Sequence, residues 1–366
     1  MKSFSLRARV EGHLARAIMA LPRSLLVRLA GKPIVRGDDV LDTQVQLAIA
    51  LHRLTGKKQP HQQSVAVARA EFEGSAILLA PSSAPLASID DLTLAGPAGP
   101  LPARIYRPRG VASPAPALVY FHGGGFVLGS LDTSDGQCRA LAAGASCVVI
   151  SVDYRLAPEH RFPAAVEDAI AAFRQVGAEA SRLGIDAARL AVGGDSAGGN
   201  LSAVVSQATR ADAVRPCLQL LMYPATDMTL SSPSIRALAS GFLLEKTSIE
   251  WFVDHYLPAG QDRLDPRASP LFAASFAELP PAFLATAGFD PIRDDGEAYA
   301  TKLAKAGVPV EHRNYGALVH GFLNLAGSID AARAPLDEAI EALRHAFAAP
   351  RAAEDAPVRE GAQHRA

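Results

Sequence analysis

The stretch that decides the fold is RLAVGGDSAGGNL, residues 189–201. It contains the G-x-S-x-G pattern of a nucleophile elbow, in which Ser196 sits on a sharp turn between a strand and a helix. The small flanking residues are needed because the turn is strained and larger side chains would clash there. The pattern alone is weak, since it arises by chance in roughly one chain in ten of this length. A Gly-rich loop that closes a strand would look similar.

A second motif, HGGG at residues 122–125, directly follows the apolar run Ala117–Phe121. Glycines there let backbone N–H groups face a reacting carbonyl without a side chain in the way. This is the position of an oxyanion-hole loop upstream of an elbow, and we expect its donors to be Gly124, Gly125 and Ala197. A phosphate cradle is the alternative, but neither a following Lys-Ser/Thr nor a G-x-G-x-x-G with a later acid is present.

The acid of the predicted triad must follow the nucleophile, and the histidine must follow the acid. The apolar strand Phe283–Ala287 leads into Asp290, which therefore lies at the carboxyl end of a strand. Asp294 and Asp295 are rivals, but they fall in the first turn of a helix, where acids are ordinary partners of the helix dipole. We therefore predict Asp290 as the acid.

His320 is the predicted base because it lies in a loop just past the last strand and is followed by a glycine. His312 falls within a strand, His345 on a helix and His364 in the tail. His122 precedes the nucleophile in chain order, so it is predicted to be structural.

Length and composition limit the class of protein. The chain has 366 residues, more than the ~250–300 at which single cores stop growing, so one large domain with an insertion is expected. Lys and Arg total 36 against 37 Asp and Glu, and such a balance excludes a general nucleic-acid binder, which needs a basic surface.

The cysteines Cys138, Cys147 and Cys217 are too few for a disulfide framework and lack metal-ligand spacing. They favour a reducing compartment, taken here as the cytoplasm, and no metal is predicted. No stretch reaches the roughly 18 apolar residues of a transmembrane helix.

The order of elements predicts an α/β fold, with a mostly parallel sheet covered by helices on both faces. Residues 1–75 are predicted as an N-terminal helical cap segment, and 228–276 as a helical cap insertion between two strands. The core is divided into 76–227 and 277–349, and the polar tail 350–366 is predicted to be disordered. The predicted strands are Ile89–Leu94, Ala103–Tyr106, Ala117–Phe121, Cys147–Val152, Leu190–Val192, Cys217–Tyr223, Ala282–Ala287 and Val308–Asn314, and the predicted helices include Asp42–Leu54, Ala164–Ala178, Ala197–Ala211 and Gly296–Ala306.

The first thirty residues are rich in arginine and contain one acid, Glu11. Three interpretations stay open: an organelle transit peptide, a basic helix that rests on lipid, and a helical segment that packs on the body of the protein.

The chain resembles the bacterial hormone-sensitive-lipase-like esterases, often called family IV. Five ordered motifs carry the resemblance: HGGG at 122–125, DYRLAPEHRFPAAVEDA at 153–169, GDSAGGN at 194–200, DPIRD at 290–294 and HGF at 320–322. The one departure is Ile292, where the family usually has Leu. The resemblance implies a capped α/β-hydrolase without a cofactor, active on short to medium acyl esters, with a homodimer as the expected assembly.

We hypothesise that Phe242, Leu243, Trp251 and Phe252 of the cap insertion line an acyl pocket, against the alternative that they only pack cap helices together. The same triad would serve an amidase, a carbamate hydrolase or a deacetylase. A non-catalytic receptor for a small molecule, known among relatives that lost the histidine, is disfavoured because His320 is retained.

Overall fold

The computed structural model describes residues 16–81 and 85–349, and its centre is an eight-stranded sheet. The strand order is β10-β9-β8-β7-β5-β6-β4-β3, and the six strands from β10 to β6 are parallel, while β4 and β3 are antiparallel. The predicted fold class is therefore confirmed. The strands, including a separate hairpin of β1 and β2, are β1 Val35–Arg36, β2 Asp39–Val40, β3 Ser88–Gly96, β4 Gly99–Arg107, β5 Ala115–Phe121, β6 Val148–Val152, β7 Ile185–Asp195, β8 Gln219–Met222, β9 Ala282–Phe289 and β10 Val310–Val319.

The central strands are apolar throughout because both faces of the sheet are covered. All seven residues of β5 are buried. Val119 and Phe121 face one cluster of buried side chains, while Leu118 and Tyr120 face the other. The helices that the structure describes are α1 Arg23–Ala30, α2 Thr43–Leu54, α3 Val65–Leu79, α4 Asp135–Ala145, α5 Ala164–Ala178, α6 Ala180–Leu183, α7 Ala197–Ala208, α8 Pro233–Ala237, α9 Lys246–Tyr256, α10 Arg293–Lys305 and α11 Arg333–Ala348.

The parallel strands bring the predicted site residues to one edge of the sheet. The HGGG loop follows β5, Ser196 follows β7, Asp290 follows β9 and His320 follows β10. Because the carboxyl ends of parallel strands lie at the same edge, these four segments meet there.

Several strands extend beyond their predicted ends, among them β4, which begins at Gly99, β7 and β10. β7 begins at Ile185, before the predicted Leu190, because the polar residues Asp186 and Arg189 interrupt the apolar pattern without ending the strand. β10 continues to Val319, beyond its predicted end at Asn314. His312 lies inside β10 and His345 inside α11, as predicted. His364 and the tail 350–366 lie outside the described residues.

The last part of β10 carries an irregularity that receives the N-terminal segment. The pairing with β9 shifts between Tyr315 and Val319. Within this shift the N–H of Asp42 donates to the carbonyl of Ala317 at 2.9 Å. A Cβ on Gly316 would lie 2.0 Å from the carboxylate of Asp39, so only glycine allows this close approach.

The two segments predicted as a cap contain the helices that the pattern indicated. Within 16–75, α1, α2 and the start of α3 are present, together with the β1–β2 hairpin, which is too short to show a period in sequence. Asp42 begins α2 as its N-cap, accepting from the N–H groups of Gln44 and Val45. Residues 228–276, all of them described, contain α8, α9 and a 3₁₀ turn at Pro270–Phe272 but no strand.

Candidate active site

Ser196 lies on a strained turn between β7 and α7. Its φ of 55° and ψ of −115° are values that L-residues rarely adopt. The turn is held because the Ser196 N–H donates to the Met222 carbonyl at 2.9 Å, and the Ser196 carbonyl accepts from Ala225 at 3.2 Å. A Cβ on residue 198 would stand 1.8 Å from the carbonyl oxygen of Phe121, which explains why this position is a glycine.

The three predicted triad residues form one chain of hydrogen bonds. The Oγ of Ser196 is 2.9 Å from Nε2 of His320, and Nδ1 of His320 is 2.7 Å from Oδ2 of Asp290. The other oxygen of Asp290 accepts from the N–H of Ile292 at 2.9 Å, and the residue is fully buried. The carboxylate is thus fixed, and it can orient the imidazole toward the hydroxyl.

The glycine loop lies beside this chain with donors available. Gly124 has φ 120° and Gly125 has φ 62°, and no described residue accepts a hydrogen bond from either N–H. Ala197 is the first residue of α7, where a helix leaves its N–H groups without intrahelical partners. The N–H groups of Gly124, Gly125 and Ala197, which the sequence predicts as oxyanion-hole donors, are thus available to bind an oxygen.

Asp195, the variable residue of the elbow motif, ties the glycine loop to the elbow. Its Oδ1 accepts from the hydroxyl of Tyr120 at 2.8 Å and from the N–H of Gly123 at 2.9 Å. Burial raises the pKa of this carboxyl, and the hydrogen bond from Tyr120 opposes the shift. The sequence motif did not predict this role, although an acidic residue between two apolar segments is a signal for a buried hydrogen-bonded carboxyl.

His122 is buried, and its ring contacts its own loop and Tyr154. Its Nδ1 is 2.7 Å from the Gly123 carbonyl, and its ring stacks on Tyr154 with centroids 4.4 Å apart. The Tyr154 hydroxyl donates to the His122 carbonyl at 2.8 Å. Burial lowers the pKa of His122, so the neutral form is favoured. This geometry agrees with a structural role.

Tyr223 is a second residue that the sequence analysis missed. Its ring meets the imidazole of His320 edge-on at 4.8 Å and also contacts Phe322 at 4.6 Å. The tyrosine directly follows β8 and has a φ of 37°. No feature of the sequence distinguished it from an ordinary apolar residue at a strand end.

The four predicted pocket residues reach the site to different degrees. Phe252 lies against the glycine loop, since a Cβ on Gly125 would be 2.4 Å from its ring. Trp251 contacts Phe252 edge-on at 5.2 Å. Phe242 packs on Phe289, the residue before the triad acid, at 5.1 Å, and Leu243 packs against the same cluster of buried side chains.

Asp294 and Asp295, the alternative candidates for the triad acid, have other surroundings. Asp294 accepts from the N–H of Ser234 at 2.8 Å and pairs with Arg293. Asp295 is 2% exposed, and neither of its carboxylate oxygens accepts a well-formed hydrogen bond from a described residue. Burial raises the pKa of Asp295 well above its ordinary value. The carboxylate that pairs with His320 in the described chain is that of Asp290.

Comparisons with known proteins agree with this site. The sequence profile of a family described as "alpha/beta hydrolase fold" matches residues 118–324. The carboxylic ester hydrolase LipN of Mycobacterium tuberculosis is 45% identical over 323 residues, covering 86% of this chain and 85% of LipN. An ethyl acetate hydrolase of Pseudomonas putida is 42% identical over 298 residues, covering 80% and 94% of the two chains.

A solved structure gives the same result. An ester hydrolase from the metagenome of Lake Arreo, complexed with a bipyridine phosphonate derivative, has a TM-score of 0.81 and 43% identity, covering 84% of this chain and 99% of that one. The chain belongs to the α/β-hydrolase family, and the predicted relationship to the hormone-sensitive-lipase-like esterases is confirmed. No helix in the described ranges combines the length and hydrophobicity needed to cross a bilayer.

Proposed function

We propose that the chain is a carboxylic-ester hydrolase that acts on short to medium acyl esters through an acyl-enzyme on Ser196. The observation that carries the proposal is the hydrogen-bonded chain from the Ser196 hydroxyl through His320 to Asp290, at 2.9 Å and 2.7 Å. The naming of similar proteins as ester hydrolases supports esters as the substrate class.

In the first step His320 accepts the proton of Ser196 as the hydroxyl oxygen attacks the ester carbonyl. Asp290 holds the imidazole in the tautomer that presents a free Nε2 and stabilises the cation that forms. The imidazolium then donates this proton to the departing alcohol, and the acyl group stays on Ser196.

The oxygen that becomes negative is stabilised by the N–H groups of Gly124, Gly125 and Ala197. One such donor contributes about 3–4 kcal/mol to the barrier reduction. Water then attacks the acyl-enzyme, with His320 again as the base, and the carboxylic acid leaves. No cofactor is required for either half of the reaction.

The acyl chain is proposed to lie against Phe252 and Trp251, with Phe242 and Leu243 closing the pocket. The support is the contact between the Phe252 ring and Gly125, which puts α9 directly over the proposed oxyanion hole. The segments 1–75 and 228–276 would then act together as a cap, and 76–227 with 277–349 as the catalytic core.

The test is covalent labelling of the full chain with a fluorescent alkyl phosphonate. The wild type is expected to be labelled stoichiometrically, whereas Ser196→Ala should not react and should lose on the order of 10⁶-fold in kcat. Ser202→Ala, which changes a second serine of α7, is the matched control and should be labelled like the wild type. Labelling that persists in Ser196→Ala would overturn the proposal.

Matched ester and amide substrates with the same acyl group separate an esterase from an amidase or deacetylase. We expect kcat/KM for the ester to exceed that for the amide. A homodimer and a cytoplasmic location are also proposed on the family resemblance, and light scattering of the purified protein tests the first of these.

A further inference from the structure

The N-terminal segment exposes large apolar side chains to an unusual extent. In the described part of the chain, six of the eight most exposed ones belong to residues 25–54, and the other two are Val67 and Leu264. Isolated exposed apolar residues need no explanation, but such a concentration in one segment indicates an interaction surface. The six residues, with their exposed fractions, are Leu25 45%, Val27 48%, Leu29 59%, Val35 48%, Val40 50% and Leu54 81%.

The same segment is strongly basic in a protein whose net charge is −1. Residues 16–58 contain eight Lys or Arg and three Asp. Of the three acids, Asp42 caps α2 and Asp39 lies against the backbone of Gly316, which leaves Asp38 in the hairpin turn as the exposed one. The positive charge of this segment is therefore offset little by its own acids.

The apolar and basic residues are held in a fixed arrangement. Gln46 of α2 donates to the carbonyls of Ala30 and Lys32 at 2.7 Å and 2.9 Å, and it accepts from the N–H of Ile34. The turn between α1 and the hairpin is thereby bound to α2. The exposure of Val35 and its neighbours is a property of a folded surface.

This surface adjoins the proposed active site. Lys32, Val35, Arg36 and Arg53 line a cleft whose other wall is Ser240 to Phe242 of the cap insertion. Phe242 in turn packs on Phe289, the residue before Asp290.

We propose that α1, the β1–β2 hairpin and the end of α2 form a docking surface for the anionic headgroup region of a lipid bilayer. A bilayer interface accepts apolar side chains at the headgroup boundary and attracts Lys and Arg when its lipids are anionic. A second copy of the chain would meet the same basic face with like charge. Docking there would hold the cleft beside Phe242 at the lipid surface.

The test is flotation of the full chain with vesicles of phosphatidylglycerol and phosphatidylcholine, against vesicles of phosphatidylcholine alone. We expect binding to the anionic vesicles only, with a large decrease at 0.5 M salt, where exposed charges are screened. Since each basic residue contributes roughly a factor of five near such a surface, Arg28→Gln/Lys32→Gln/Arg36→Gln should lower the partition coefficient by about 100-fold.

The matched control removes three cations from the opposite edge of the sheet. Arg182, Arg215 and Lys305 lie in the segments that lead into β7, β8 and β10. Their triple Gln variant therefore has the same net charge as the first variant, but it should bind vesicles like the wild type. Both variants should hydrolyse a short soluble ester at the wild-type rate, a readout that keeps this proposal separate from the proposed activity.

Three outcomes would overturn the proposal. These are absence of wild-type binding to anionic vesicles, equal losses in the two triple variants, and binding that survives Val35→Ser/Leu54→Ser. Light scattering in the absence of lipid tests whether a second copy of the chain occupies this surface instead. If the protein is a dimer that Val35→Ser/Leu54→Ser dissociates, and if it does not bind vesicles, the surface is a dimer interface.

Discussion

Single residues in this site depend on backbone conformations that few amino acids tolerate. Ser196 is held at positive φ by hydrogen bonds with the last residue of β8 and with the segment that follows it. Gly125 is at positive φ as well, and it also lies under an aromatic ring of the cap. The chemistry at the nucleophile therefore depends on contacts made by residues far away in the chain.

Gly125→Ala tests this dependence. The new Cβ would stand 2.4 Å from the ring of Phe252, so the loop must move and the donor at this position is displaced. We expect kcat/KM on a short ester to fall by about 10²–10³-fold, the effect of losing one oxyanion donor.

Adding Phe252→Ala removes the ring and should restore part of the loss in kcat/KM caused by Gly125→Ala. Phe252→Ala alone gives the reference for this comparison. A double variant no more active than Gly125→Ala would show that the ring is not the obstacle, and that the φ of 62° alone makes alanine unacceptable.

Asp295 gives a pH-dependent prediction. Burial holds the pKa of its carboxyl well above the ordinary value of about 3.9. The folded state thus keeps this proton where the unfolded state has lost it, so this group lowers the free energy of unfolding as pH rises above about 4.

Asp295→Asn does not titrate, and its free energy of unfolding should therefore rise relative to that of the wild type between pH 5 and pH 8. The gain is about 1.4 kcal/mol for each pH unit over which only the folded state is protonated. Urea unfolding at a series of pH values measures it. Parallel curves for the two proteins would contradict the prediction.

At the scale of elements, the mostly parallel sheet and the position of the site residues after its strands could be predicted, while exact strand bounds and contacts between distant elements could not. The triad was found because a fixed chain order and a position after an apolar strand suffice to select Asp290 and His320. The start of β7 could not be predicted, because its first residues include the polar side chains of Asp186 and Arg189, which interrupt the apolar pattern. The hairpin of β1 and β2 has two residues per strand, too few for any period.

The contact of α9 with the glycine loop is a feature that sequence patterns could not predict. Trp251 and Phe252 could be assigned to an apolar stretch, but their distance from residue 125 is set by how the insertion folds back over the sheet. Asp195 and Tyr223 were missed for the same reason. The partners of Asp195 lie on or just after β5, and those of Tyr223 lie just after β10, all of them remote in sequence.

Alanine substitutions on α9 test the proposed acyl pocket. If Trp251 and Phe252 line it, then each replacement enlarges the pocket and shifts the preference toward longer acyl chains. A change of about 10-fold in the ratio of kcat/KM for hexanoate and acetate esters is expected, the size of a one- or two-methylene effect.

Asp254→Ala on the same helix is the control, because this side chain is 72% exposed. It should leave the ratio unchanged. If Trp251→Ala and Phe252→Ala also leave it unchanged while both proteins become less stable, the two rings serve cap packing alone.

At the scale of the whole molecule, the N-terminal segment is bound to the catalytic edge through charged hydrogen bonds. Arg69 of α3 donates from Nε to the carbonyl of Val127 at 2.8 Å and from Nη2 to that of Ala157 at 2.9 Å. It also pairs with Glu159 at 2.7 Å. One side chain thus joins α3 to the loop that continues from the HGGG motif.

Arg69→Gln should lower the free energy of unfolding by about 2–3 kcal/mol, because hydrogen bonds from a charged donor to partly buried carbonyls are lost. Glu159→Gln is the matched control, since it removes only an ion pair whose acid is 54% exposed and should change the free energy by less than about 1 kcal/mol. Equal effects of the two substitutions in urea unfolding would contradict this explanation.

The irregular end of β10 links two regions that look independent. Between Tyr315 and Val319, β10 contains more residues than the part of β9 with which it pairs. One of them, Ala317, accepts a hydrogen bond from the N-terminal segment through its carbonyl, and His320 comes three residues later. Side chains alternate between the two faces of a strand, so deleting a single residue between Gly316 and Val319 would turn the imidazole toward the opposite side of the sheet. The orientation of His320 and the attachment of the first helices therefore cannot vary separately. Any insertion or deletion tolerated in this stretch has to add or remove an even number of residues.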